Sequence, residues 1–141
     1  MKSLALAAIL ATSAGVASAA PLGLTCEGSF YTSGVKEYDM TTSIFVYDDV
    51  ITTGANLFNQ YFSTYEAGDE IENVINHGYV NITDDTIKAK KTYLNGDLFE
   101  ETVLTINRYT GSFLWQDASS VGDNTVIYSA TGTCKQERKK F

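Results

Sequence analysis

The sequence predicts an all-β fold, an antiparallel meander of about eight strands that closes as a small barrel. Three observations lead there. Apolar and polar residues alternate at period two through most of the chain beyond residue 21, the pattern of strands buried on one face. Turn-forming residues recur at short intervals, and the single proline, Pro21, precedes the first strand-like stretch, so no ladder loses an N–H. Two cysteines, Cys26 and Cys134, bracket the whole pattern.

Taken in order, Leu22, Leu24, Cys26, Gly28 and Phe30 share one face, with Thr25, Glu27 and Ser29 opposite. Met40, Ile44 and Val46 form the next apolar face, and Ile87, Ala89 and Tyr93 a later one, opposite Thr86, Lys88, Lys90 and Thr92. Leu98, Leu104 and Ile106 follow, then Phe113 and Trp115, then Val126, Tyr128, Ala130 and Cys134. Turns are expected at Ser33-Gly34, Asp48-Asp49, Asp84-Asp85, Asn95-Gly96, Thr110-Gly111 and Gly122-Asp123-Asn124. Asn95-Gly96 suits the central pair of a two-residue hairpin, where positive φ is favoured. One segment departs from the pattern. Leu57, Phe58, Tyr61, Phe62 and Tyr65 fall at helical spacing, which predicts a short amphipathic helix near 56–65, ended by Gly68 and covering an end or face of the sheet.

Each cysteine lies on the apolar face of its own strand by parity. Two thiols in a small secreted domain are expected to pair, and bridged cysteines need Cα atoms within about 7 Å. The first and last strands are therefore expected to be disulfide-linked neighbours. Adjacency of the ends favours a barrel, with a β-sandwich as the alternative.

Secretion is read from the N-terminus. Met1-Lys2, the apolar run Leu4 to Leu10, and Ala17-Ser18-Ala19 have the order of a signal peptide. The run is too short for a spanning helix, which needs about 20 apolar residues. Residues 1–19 are thus assigned as signal and 20–141 as one β-domain, periplasmic or extracellular, with no transmembrane segment after signal removal.

Charge narrows the partners. Seventeen Asp+Glu against ten Lys+Arg give a net charge of −7, and loss of Lys2 makes the mature domain more acidic still. Sequence-independent nucleic-acid binding needs cations to neutralise phosphates, so no nucleic acid is expected. A basic protein partner fits the charge. Lys135, Arg138, Lys139 and Lys140 crowd the C-terminus, a frayed end or a contact with an anionic surface.

Catalytic constellations are not recognisable. The one histidine, His77, has no Gly-x-Ser-x-Gly nucleophile turn to serve, and the cysteines are committed to a disulfide. No second histidine completes a metal set, and no Gly-rich phosphate loop is present. The chain is read as no enzyme, with no cofactor and no metal. Two residues stand out as ligand-binding candidates. Arg108 shares parity with Leu104 and Ile106, placing a guanidinium at the end of an apolar face, where it would fix the turn or anchor a ligand carboxylate at the barrel mouth. Trp115 belongs to an aromatic set of nine Tyr, seven Phe and one Trp, part of which could line a cavity.

Leu104-Thr105-Ile106-Asn107-Arg108-Tyr109-Thr110-Gly111, with Cys26-Glu27-Gly28 early and Gly132-Thr133-Cys134 late, resembles small secreted bacterial proteins of uncharacterised function. These carry an Asn/Asp-Arg-x-Thr-Gly hairpin before a final strand ending in cysteine, and the resemblance implies a bacterial envelope setting. A looser similarity is to the β-barrel inhibitors of c-type lysozyme. Those use a Ser-Gly-x-x-Tyr loop, where this chain has Thr110-Gly111-Ser112-Phe113. The expected function is a non-catalytic secreted β-barrel protein that binds a small apolar or acidic ligand. The alternative is a protein-binding module such as an enzyme inhibitor or secreted effector.

Overall fold

Alternating burial of side chains organises one antiparallel sheet of ten strands in this computed structural model, which describes residues 21–69 and 73–137. The strands are β1 (Leu22–Thr32), β2 (Val35–Tyr47), β3 (Val50–Thr53), β4 (Tyr61–Phe62), β5 (Tyr65–Asp69), β6 (Val74–Ile82), β7 (Thr86–Asn95), β8 (Leu98–Asn107), β9 (Ser112–Val121) and β10 (Asn124–Gln136). Their spatial order is β4-β3-β2-β1-β10-β9-β8-β7-β6-β5. The assigned signal 1–19 and the basic residues Arg138, Lys139 and Lys140 lie outside the described residues.

The all-β class and the meander hold, and the strand number is ten rather than about eight. A single sheet also replaces the alternative of two packed sheets. The sheet curls into a half-barrel that brings β4 against β6 and β7. Its free edges are β4 and β5, so the hydrogen-bonded ladder is open there rather than closed all round. Across that seam the Thr64 hydroxyl accepts from the Val80 N–H at 3.0 Å.

The first and last strands are neighbours, as cysteine parity predicts. β1 and β10 pair with Cys26 opposite Cys134, and the two are disulfide-bonded with Cα atoms 3.9 Å apart. Two residues further on, Gly28 faces Gly132. The concave face carries the core: Leu24, Cys26, Phe30, Ile44, Ile87, Ala89, Leu104, Ile106, Phe113, Trp115 and Ala130 are all buried, the parity set of the alternation.

The helix expected over 56–65 does not form. Only a single 3-10 turn, Ala55–Leu57, is present, and Tyr61–Phe62 are already a strand. Phe58 and Asn59 take left-handed φ of 63° and 48°, which no α-helix accommodates. Thr53 supplies the competing interactions. Its hydroxyl donates to the Leu57 carbonyl and accepts from the Gln60 N–H, both at 2.9 Å. The resulting loop tucks Leu57 and Phe62 into the core, both fully buried. It also sets Phe58 edge-on to Trp115 and Tyr128, with centroids 5.3 and 5.4 Å away.

The hairpin after β7 differs by one residue from expectation. Asn95 pairs with Leu98, so Gly96-Asp97 is the turn. Gly96 alone has positive φ, 65°, the arrangement that places Gly first in a type II′ turn.

Candidate functional site

The hairpin joining β8 to β9 builds the site that holds Arg108. Asn107 starts it: its side-chain Oδ1 accepts from the N–H groups of Tyr109 at 2.9 Å and Thr110 at 3.0 Å, an Asx turn. Gly111 closes it at φ 80°. Its N–H donates to the Asn107 carbonyl at 2.8 Å, and its carbonyl accepts from the Cys134 N–H at 2.7 Å. A Cβ at Gly111 would run into the Cys134 carbonyl, so glycine is what lets this turn dock on the disulfide strand.

A second turn, between β6 and β7, meets the first. The Arg108 N–H donates to the Asp85 carbonyl at 2.8 Å. Arg108 Nη1 donates to the Thr83 carbonyl at 2.7 Å, and the Tyr109 hydroxyl donates to Asp85 Oδ1 at 2.9 Å. The guanidinium is thus held at the mouth of the half-barrel through one of its five donors. Among the described residues it forms no ion pair within 4.0 Å. Beneath it lies a pocket of about 160 Å³ floored by Leu22, Leu24, Ile87 and Ile106 and walled by Cys134 and Gln136. An apolar floor with one cation at the rim can take an apolar body with an acidic head. The volume suits a single ring or a short acyl chain, since an apolar cavity of roughly 150 Å³ accommodates benzene.

Trp115 sits elsewhere. It is fully buried, tilted against Phe30 at 6.0 Å, and outside the Arg108 pocket. The structure does not bring the two ligand-binding candidates together. The Trp115 indole N–H instead donates to Gln60 Oε1 at 3.1 Å, starting a chain that sequence reading did not find. Gln60 Nε2 reaches Thr102 Oγ1 at 3.5 Å, and the Thr102 hydroxyl donates to Asp117 Oδ1 at 3.0 Å. Thr102 and Asp117 are buried, 2% and 5% exposed.

Strand register explains why these residues meet. Gly78, Lys91, Thr102, Asp117 and Tyr128 are directly opposite one another on successive strands β6 to β10. They form a polar row across the concave face, next to the apolar row Ala89, Leu104, Trp115 and Ala130. Parity was the available signal, since Thr102 shares a face with Leu104 and Asp117 with Trp115. Burial holds the Asp117 carboxyl above the usual carboxylate range, opposed by the Thr102 hydrogen bond and by Lys91. Burial likewise lowers the Lys91 ammonium, opposed by the Glu100 and Asp117 carboxylates.

His77 lies on the opposite side of the sheet, half exposed, with Nε2 at 3.7 Å from Glu66 Oε1. Among the described residues no group of three or more His, Cys, Asp or Glu could hold a metal ion, and no helix is long and apolar enough to cross a membrane. No protein-family model, curated protein or solved structure matches the chain.

Proposed function

We propose that this chain is a non-catalytic secreted or periplasmic binding protein that takes a small acidic amphiphile at the Arg108 pocket. The observation that carries this reading is the Arg108 guanidinium, without an ionic partner among the described residues, above an apolar floor. A carboxylate that paired with the remaining N–H groups would gain charge-assisted hydrogen bonds, while its apolar body displaced water from Leu22, Leu24, Ile87 and Ile106. The disulfide, together with the leader-like residues 1–19, supports an oxidising compartment.

The test is an NMR titration of the oxidised mature protein with benzoate and hexanoate as probes. Saturable shifts are expected at Ile87, Ile106 and Arg108, and Arg108→Gln should weaken binding by about tenfold, the value of one charge-assisted hydrogen bond. Hexanol, which keeps the apolar body and lacks the charge, should bind wild type as weakly as hexanoate binds the variant. Absence of saturable shifts with both acids would remove the ligand reading.

A second reading, a module that binds a basic protein, draws on the net charge of −7 and on exposed tyrosines. Tyr109, 78% exposed, projects from the Arg108 hairpin, and Tyr47 and Tyr61 are more than half exposed. Amphipathic rings of this kind anchor protein interfaces. Titration with a basic protein such as lysozyme separates the readings: broadening centred on Tyr109 and the acidic turns favours the protein partner.

A further inference from the structure

Lys91 is unlike the other lysines of its strand. Lys88 and Lys90 point to the convex face and are exposed, and Lys90 pairs with Glu101 at 3.4 Å. Lys91 points to the concave face, where its Nζ lies 5.2 Å from the centroid of the Phe62 ring. Among the described residues no carboxylate stands within 4.0 Å of it. It lines a cavity of about 190 Å³ shared with Tyr65, Asn76, Tyr93, Glu100 and Thr102. Much of that lining is already committed. The Tyr65 hydroxyl donates to Asn76 Oδ1 at 2.6 Å, Thr102 donates to Asp117, and the Tyr65 ring covers Gly78, the residue opposite Lys91. Lys91 brings the one amine to this lining, beside the hydroxyls of Thr92 and Tyr93, and a neutral amine adds to a carbonyl far more readily than a neutral hydroxyl does.

We propose that Lys91 is a carbonyl-reactive amine and that this cavity takes a small aldehyde or ketone, held as a reversible imine on Nζ. Removal from water favours the neutral amine, the form with a lone pair to donate, in the same direction as the effect of burial on this residue. The lone pair adds to the carbonyl carbon. The carbonyl π pair moves to oxygen, which takes a proton while nitrogen gives one up, leaving a carbinolamine. Its C–O bond then breaks, the second nitrogen proton leaves, and one water is released per imine. No oxidant or reductant is consumed. The Glu100 carboxylate, which also lines the cavity, can accept a hydrogen bond from the carbinolamine hydroxyl. This site is separate from the Arg108 pocket and does not depend on it.

The test treats the folded, oxidised protein with propanal and cyanoborohydride, which converts the imine to a stable secondary amine. Labelling rates are then read at each lysine from chymotryptic peptides. Lys91 should be labelled at least about fivefold faster than Lys88 in the folded protein, and at the same rate in urea, where the desolvated setting is gone. An anthracene aldehyde, too large for the cavity, should show no preference for Lys91. Equal rates at Lys91 and Lys88 in the folded protein would overturn the proposal. So would a preference that persists in urea, or one that the bulky aldehyde shares.

Discussion

Gly28 and Gly132 stand face to face across β1 and β10, and neither position has room for a Cβ. A methyl on Gly28 would collide with the Thr131 carbonyl, and one on Gly132 with the Glu27 carbonyl. The pair lets the two strands close on each other beside the Cys26–Cys134 bridge. Gly132→Ala should therefore cost about 2–4 kcal/mol in urea denaturation, because backbone rather than a flexible side chain must move. Gly34, with no atom within 4 Å of its would-be Cβ and φ of 82°, is the contrast. Its alanine variant should cost only about 1 kcal/mol, from backbone conformation alone.

The disulfide closes a separation of 108 residues. Replacing both cysteines by alanine should lower stability by about 4–5 kcal/mol in the chain-entropy account, an upper value for a loop of this size. The difference between oxidised wild type and the double variant in urea denaturation checks it. The same loss should appear in the wild type after reduction and alkylation.

Asp117 should make the protein less stable as pH rises. Its folded carboxyl binds a proton more tightly than the unfolded one, because burial raises it above the ordinary carboxylate value of 3.8. The folded state thus holds more protons between the unfolded and folded values. Stability from this group is fully present below about 3.8, and is lost as pH climbs through the higher folded value. Asp117→Asn keeps an oxygen for the Thr102 hydroxyl and carries no charge. It should exceed wild type by on the order of 1 kcal/mol at pH 7, with the gap closing toward pH 4. Lys91 acts in the opposite sense at alkaline pH. Its lowered value means the unfolded chain binds the extra proton, so stability rises as pH approaches 10.5.

Asn107→Ala removes the acceptor for two backbone N–H groups, those of Tyr109 and Thr110. A loss of about 1–2 kcal/mol is expected from two exposed side chain–backbone bonds. Asn107→Asp, which retains the accepting oxygen, should stay within about 0.5 kcal/mol of wild type. Under the proposed function, the alanine variant should also weaken hexanoate binding, since the turn that carries Arg108 loosens.

Much of this architecture was legible because period two is a local property. Leu24, Cys26 and Phe30, or Leu104 and Ile106, declare their shared face without knowledge of any neighbour, and all prove buried. Cysteine parity extended that local reading to a long-range one and placed β1 beside β10. The segment 57–65 misled because its apolar residues serve different ends. Leu57 and Phe62 fill the core, while Phe58, Tyr61 and Tyr65 are 45%, 56% and 37% exposed; their helical spacing reflects a turn followed by two short strands. Arg108 lies one parity step past Ile106, and it lines the same pocket as Ile87 and Ile106. The row of Lys91, Thr102 and Asp117 was hidden for the opposite reason. Each residue is unremarkable on its own strand, and only register, which alternation does not specify between strands, sets them side by side.

The seam between β4 and β5 separates strands that follow each other in the chain, joined only by Ser63 and Thr64, whereas the first and last strands, β1 and β10, meet in the middle of the sheet. In topological terms the polypeptide is a ring of hairpins whose natural break and structural break fall at different points. A circular permutant that links residue 137 to residue 21 and starts at Thr64 would run as an uninterrupted up-and-down ribbon from one free edge to the other. Its β10-to-β1 contact would then be a hairpin like the others, and the cystine would brace that hairpin instead of carrying the longest connection in the molecule.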